Sequence, residues 1–113
     1  MPFEFHPQPL HGLVLIQPKA FGDPRGLVLE RYTRSEFKAA GITEDFVQDN
    51  HSVSSRGILR GIHSQLPPNA QGKLVWVTLG TVWDVCVDLR KESETFGQWH
   101  GAELSGENHA MFY

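Results

Sequence analysis

Short apolar runs alternate with glycine, proline and small polar residues along most of this chain, and the dominant period is two. Leu13-Val14-Leu15-Ile16 reads as a first strand, after an irregular lead-in marked by Pro7, Pro9 and Gly12 and before a stop at Pro18. Phe21-Gly22-Asp23-Pro24-Arg25-Gly26 reads as a turn, because Pro and Gly stand where fixed or permissive φ is needed. Residues 27–32 read as the next strand. Only residues 35–41 have a helical character, with Ser35 available as a cap and Gly41 as a terminator.

The remainder predicts strands over 46–54, 58–65, 73–79, 81–89, 98–104 and 109–113. Seven or eight short strands at this spacing indicate an all-β sandwich or barrel. In residues 82–88 the alternation puts Val82, Asp84, Cys86 and Asp88 on one face and Trp83, Val85 and Val87 on the other. The second set, being wholly apolar, is expected to face the core. His109-Ala110-Met111-Phe112-Tyr113 carries no polar tail or stop signal, so a chain cut in mid-fold is expected.

Composition narrows the function. The 113 residues are 40% hydrophobic and 20% charged, the balance of one globular domain. A formal net charge of -3 argues against a broad nucleic-acid footprint but leaves room for a small anion held by a few cations. No apolar run approaches the roughly 18 residues of a membrane span, and the N-terminus has no secretory pattern. Cys86 is the only cysteine, which excludes an internal disulfide and a zinc-finger scaffold. A reduced, cytoplasmic setting is the expectation.

Functional groups crowd between residues 48 and 73: Gln48, Asp49, Asn50, His51, Arg60, His63, Gln65, Gln71 and Lys73. On the strand predicted over 58–65, His63 shares a face with Leu59, Gly61 and Gln65, and a bulge at Gly61 would turn Arg60 toward it. Gln48 and Asn50, two apart, point the same way. A polar stripe on apolar strands suggests a polar cavity lined from within. Taken singly, each residue has a plainer reading. A lone strand His is more often packed or simply exposed, Arg60 and Lys73 suit a solvated surface, and Gln48 and Asn50 suit a strand end. The cluster favours a site more than any member does.

Five blocks in order carry a family resemblance: residues 21–26, Phe46-Val47-Gln48-Asp49-Asn50-His51-Ser52, Leu59-Arg60-Gly61-Ile62-His63, Ala70-Gln71-Gly72-Lys73-Leu74-Val75, and residues 84–97 from Asp84 to Gly97. With them the chain resembles the dTDP-4-dehydrorhamnose 3,5-epimerases over about residues 13–108. The resemblance implies a cupin fold, a double-stranded β-helix jelly roll. Residues 1–113 would form a single cupin-like domain, the N-terminal part of a longer one whose C-terminal strands are missing. It further implies that Arg25 and Glu30 contact the nucleotide end of the substrate and that Gln48, Asp49 and Asn50 bind substrate. Arg60 would contact the diphosphate, His63 would be the catalytic base, and Lys73 would stand beside the sugar carbonyl. A homodimer is implied, with residues 13–16 the candidate strand for the partner's sheet. No cofactor is implied.

These residue types suit the implied chemistry. A 4-keto sugar has acidic protons at C3 and C5. A neutral imidazole accepts such a proton near neutral pH, an ammonium stabilises the enolate oxygen, and a guanidinium grips phosphate oxygens with a planar fork. The rival is the metal-binding cupin with two His and a Glu. Here Gln65 stands at the second His position and no Glu follows before residue 75, so a metal site is not expected.

Departures remain. Leu27, Val28 and Leu29 replace the usual aromatic residues, and Ser64 replaces a Phe. The family continues past the equivalent of Tyr113, and its proton-donating Tyr, a further substrate-binding His and the Asp that orients the base belong to that continuation. Tyr113 aligns with a family Trp and is not taken as the acid. The first expectation is an isomerase inverting C3 and C5 of dTDP-4-dehydro-6-deoxy-glucose on the route to dTDP-rhamnose. The alternatives are a related TDP-keto-sugar 3- or 5-epimerase or ketoisomerase, a truncated inactive cupin that only binds the nucleotide, and a non-catalytic β-sandwich module. The 113 residues alone are expected to turn over poorly.

Overall fold

A computed structural model describes residues 2–113. Eight strands and one short helix occur in the order β1 (Phe3–Pro7), β2 (Val14–Pro18), β3 (Ala20–Asp23), β4 (Gly26–Leu29), α1 (Arg34–Ala39), β5 (Val75–Trp76), β6 (Thr81–Val87), β7 (Trp99–Ser105) and β8 (Met111–Phe112). The fold is therefore all-β apart from six helical residues, as the alternation predicts.

Three antiparallel sheets form: a four-stranded one in the order β1-β2-β8-β5, and the two hairpins β3-β4 and β6-β7. The lead-in is not irregular. Phe3 and Phe5 alternate with Glu4 and His6, and β1 pairs with β2 from Phe3↔Pro18 to Pro7↔Val14. β2 is flanked by β1 on one side and β8 on the other, with Ile16 fully buried. Residues 13–16 thus stand inside this chain's own sheet, and both edges of β2 are taken.

The four-stranded sheet separates two cores because strand side chains alternate between faces. Ile16 and Met111 join Phe3, Phe37 and Ile42 on one face. Leu13 and Phe112 join Leu10, Leu104 and Ala110 on the other. Helix α1 covers the first face through Phe37, whose ring meets those of Phe3, Phe5 and Tyr32 edge-on at 5.2, 5.3 and 4.8 Å. Complete burial of such a ring contributes about 1.5–3 kcal/mol. The residue capping α1 is Thr33, not Ser35, and its hydroxyl is spent on Glu30 rather than on the helix. Gly41, at φ +92, ends it as expected.

The β6-β7 hairpin covers the second core, and it presents the face opposite to the one expected. Cys86 and Ala102 pack on the Leu104 cluster and Asp88 is buried, while Trp83 and Trp99 remain 62% and 63% exposed on the outer face. Trp83 lies over Gly101, where a Cβ would come within 2.5 Å of its ring. Burial of Asp88 is tolerated because its carboxylate is fully satisfied. It accepts bonds from Ser93 Oγ at 2.6 Å, Thr95 Oγ1 at 2.5 Å, and Arg90 Nε and backbone N–H at 2.9 and 3.0 Å. Arg90 Nη2 also reaches the His11 carbonyl at 2.8 Å, tying the 88–98 loop to the N-terminal segment.

The strands predicted over 46–54 and 58–65 do not form: residues 43–74 contain no ladder. A strand needs a neighbour for its N–H and C=O groups, and none lies alongside among the described residues. Apolar side chains there stay in solvent, with Val47 and Leu59 each 92% exposed. The Cα radius of gyration, 15.1 Å, exceeds the roughly 13 Å of a close-packed domain this size.

The donors around Asp88, Arg90 first and then Ser93 and Thr95, hold its carboxyl far below the usual carboxylate range. A depressed carboxyl stabilises the fold above its ordinary value of 3.8 and loses that contribution as the pH falls below it. Thermal unfolding should therefore show a midpoint that drops between pH 6 and pH 3. Asp88→Asn should lower the midpoint by several degrees at pH 6 and flatten the acid-dependent part of the curve.

Candidate functional site

The segment between α1 and β5 holds most of the candidate residues. Gln48, Asp49, Asn50, Arg60, His63 and Lys73 are all exposed. Gln48 Nε2 donates to Asn50 Oδ1 at 3.2 Å, so the two amides do lie on one side. Arg60 turns back along its own segment, donating from Nε and Nη2 to Ser54 Oγ at 3.2 and 2.9 Å. Gly61, at φ +109, separates Arg60 from His63 with a backbone turn that a side chain would strain. That break in alternation replaces the bulge expected there, since a bulge requires a paired strand. A Cβ on Gly61 would lie 3.6 Å from His63 Nδ1, which sets the imidazole back over the glycine.

Arg25 and Glu30 belong to a different element. Arg25 sits at the tip of the β3-β4 hairpin, where Asp23 Oδ2 takes its Nη2 at 2.6 Å. That pairing raises the guanidinium and lowers the Asp23 carboxyl. Glu30 accepts from Thr33 Oγ1 at 2.5 Å just before α1. Among the described residues no hydrogen bond joins this hairpin to the 46–65 segment. The structure joins Gln48 to Asn50 by a hydrogen bond. Two open grooves lie around His11 and Arg90, one bounded by Gln8, Ser93 and Thr95 and the other reaching Ile42 and Tyr113.

Lys73 lies at the end of the segment without a ladder, two residues before β5. Leu74 and Trp76 pack into the Phe37 core, and Gly72 faces Tyr113 on the same side, 3.1 Å from its hydroxyl by the position of an added Cβ. Val77 packs into the Leu104 core. Val75 and Val77 therefore share the side covered by β6 and β7. Val77 there shares a core with Cys86, which, like Asp84, sequence reasoning put on the outer face. The signal was present in Asp84 and Asp88: two carboxylates sharing a face with a cysteine mark a polar inner lining as readily as a surface.

Desolvation raises the Asp84 carboxyl, opposed by the Val85 backbone N–H and by the charge of Lys73. Burial, with the Asp84 charge added, pushes the Cys86 thiol up. Tyr113 is pushed up to about 12 by burial and by its hydrogen bond to Glu44, so its phenol stays protonated and engaged through neutral pH. No group of three or more His, Cys, Asp or Glu side chains able to hold a metal occurs among the described residues.

Residues 7–113 match the family described as dTDP-4-dehydrorhamnose 3,5-epimerase. The protein of that name from Pseudomonas aeruginosa is 56% identical over 97 residues, covering 85% of this chain and 53% of its own. The crystal structure of the Elizabethkingia anophelis dTDP-4-dehydrorhamnose 3,5-epimerase superposes with a TM-score of 0.93 at 46% identity, over all of this chain and 62% of that one. The Legionella pneumophila dTDP-6-deoxy-D-glucose-3,5-epimerase, solved with dTDP-4-keto-L-rhamnose, gives 0.92 at 46% identity, over 97% of this chain and 58% of that one. The chain spans about half the length of the curated relatives it matches. The cupin-type architecture expected from the sequence is the one these structures share with it.

A thiol held up by burial reacts slowly because the thiolate is the nucleophile. Iodoacetamide at pH 8 should alkylate Cys86 more slowly in the folded chain than in denaturant, because burial and the Asp84 charge push the thiol up. Mass spectrometry over a time course reads the difference.

Proposed function

The chain belongs to the dTDP-4-dehydrorhamnose 3,5-epimerase family, and we propose that it acts on a dTDP-linked 4-keto-6-deoxy sugar, exchanging the protons at C3 and C5. The observation that carries this reading is the likeness to the Legionella enzyme, whose structure holds dTDP-4-keto-L-rhamnose, over 97% of the chain. His63 takes the proton adjacent to the ketone. Lys73 stabilises the enolate oxygen that develops. Arg60 grips the diphosphate, Gln48, Asp49 and Asn50 bind the substrate, and Arg25 and Glu30 meet its nucleotide end.

The local structure supports these roles in part. Gln48 and Asn50 present their amides together. Arg60 is held only by a serine hydroxyl, a neutral partner that a phosphate oxygen displaces readily. The proposed setting is a homodimer in the cytoplasm, in line with a lone, half-buried cysteine and with no helix of the described residues long and apolar enough to cross a membrane.

A second reading is favoured by the state of residues 43–74. The segment bearing the base has no ladder to fix it, and catalysis needs reacting groups held within fractions of an ångström. A chain of this form would bind the nucleotide end and turn over little.

Two measurements decide. With the keto-sugar in deuterated water, the chain should exchange the C3 and C5 protons, followed by NMR. His63→Ala should cost about 10²–10⁴ in that rate with dTDP binding nearly unchanged. Absence of exchange in the unsubstituted chain alongside measurable dTDP binding would select the second reading. Separately, Arg60→Ala should weaken dTDP binding by about 1.5–3 kcal/mol in isothermal titration, the range for a charge-assisted hydrogen bond. Equal affinities would place the diphosphate elsewhere.

A further inference from the structure

Three side-chain groups outside the assigned roles come forward: the Asp88 knot, the outer Trp83–Trp99 face and the ring of Tyr113. The Asp88 oxygens are saturated by Ser93, Thr95 and Arg90, which leaves nothing to hold a ligand. Nothing in the structure identifies what would cover Trp83 and Trp99. Tyr113 is different, because its ring touches both ends of the segment that bears the proposed site.

The contact is built from the sheet outward. Strand β8 is paired on both sides, and Tyr113 extends that pairing. Its N–H donates to the Val14 carbonyl at 2.9 Å, and its carbonyl accepts from the Val14 N–H at 3.0 Å. The ring thus starts from a fixed backbone and packs, half-buried, against the Phe37 core. One neighbour is Phe46, met edge-on with ring centroids 6.1 Å apart. Phe46 is held in turn by Tyr32, edge-on at 5.3 Å. The other neighbour is Gly72. A Cβ there would stand 3.1 Å from the phenol oxygen and 3.5 and 3.6 Å from ring carbons Cε1 and Cζ. Gly72 is not one of the glycines at positive φ, so its missing side chain serves this close approach and not a turn.

Phe46 and Gly72 are distant in sequence yet share one ring. Phe46 stands two residues before Gln48, and Gly72 stands one before Lys73. Residues 47–71, with Arg60 and His63 among them, leave this ring and return to it. We propose that Tyr113 is the positioning residue for the substrate-binding segment, clasping its entry at Phe46 and its exit at Gly72. A segment without a ladder must be ordered when ligand arrives, and that cost is subtracted from affinity. Fixing both ends beforehand removes part of the cost.

The inference rests on the substrate role given to this segment, so one arm of its test uses no ligand. NMR compares the unsubstituted chain with Tyr113→Leu, Tyr113→Phe, Gly72→Ala and the double variant Gly72→Ala/Tyr113→Phe. Nuclear Overhauser contacts from the residue-113 ring to Phe46 and to Gly72 should appear in the unsubstituted chain and in Tyr113→Phe. Tyr113→Leu should remove the ring-current shifts of both partners. Leucine keeps apolar bulk against the core, and unchanged Met111 methyl shifts confirm the fold. Gly72→Ala alone should displace the ring, and Tyr113→Phe should restore it, because the oxygen crowding the new Cβ is gone. Such rescue marks a direct contact. In the second arm dTDP is titrated calorimetrically. Tyr113→Leu and Gly72→Ala should each weaken it roughly three- to tenfold, with Tyr113→Phe and the double variant near the starting affinity. Contacts to only one of the two partners, or a Gly72→Ala effect indifferent to residue 113, would overturn the clasp. Lost contacts with unchanged dTDP affinity would overturn the positioning role. An unsubstituted chain that binds no dTDP would sink the substrate role, and the first arm would still decide the clasp.

Discussion

Met111 and Phe112 close this structure. The two residues pair with Leu15 and Ile16 on one side and with Val75 and Trp76 on the other. Met111 then enters the core beneath α1, and Phe112 enters the core beneath the β6-β7 hairpin. Adjacent residues of a strand must face opposite ways, so a two-residue strand serves two cores at once. Without it β5 and the β1-β2 hairpin would share no sheet, and β1-β2 would be an isolated pair of strands, which is marginal in water. The backbone pairs between Val14 and Tyr113, at 3.0 and 2.9 Å, extend the same junction by one residue.

That junction also sets the phase of β5. Because Trp76 follows Met111 and Val75 follows Phe112, the strand leading out of the open segment is locked in phase. Gly72, lacking a Cβ, lets the Tyr113 ring lie against the backbone. The Asp88 knot performs a comparable service at the far end of β6, where it fixes the 88–98 loop and reaches the His11 carbonyl. Order is therefore concentrated at the two ends of β6, and the base-bearing segment between α1 and β5 is the least supported part of the chain.

The candidate site divides along the same line. Gln48-Asp49-Asn50, Arg60-Gly61-Ile62-His63 and Lys73 were legible because their chemistry is local: residue types at short spacing in recognisable blocks. The side-by-side amides of Gln48 and Asn50 followed from spacing alone. The inner face of residues 82–88 was not legible. Both faces of residues 82–88 carry apolar groups, and Trp83, Val85 and Val87 outweigh Cys86 on any count of hydrophobicity. The fold chose the other face because Cys86 and Ala102 are small enough to pack on Leu104 and Phe112, whereas Trp83 needs the empty space above Gly101.

By itself the sequence determined the all-β class, the positions of most turns, the single short helix with its Gly41 end, and the family. Each depends on period, on backbone freedom or on blocks of neighbouring residues. It could also have yielded β1, since Phe3 and Phe5 alternate with Glu4 and His6, but proline and glycine downstream masked that signal. Only the tertiary structure decided that residues 14–18 lie between two strands of their own sheet, that Cys86 and Asp88 face inward, and that residues 43–74 run without a ladder. The reason is common to all three. A strand's propensity is carried by its own residues, but its hydrogen bonds and its buried face belong to whatever lies beside it, and no reading of one segment contains its neighbour.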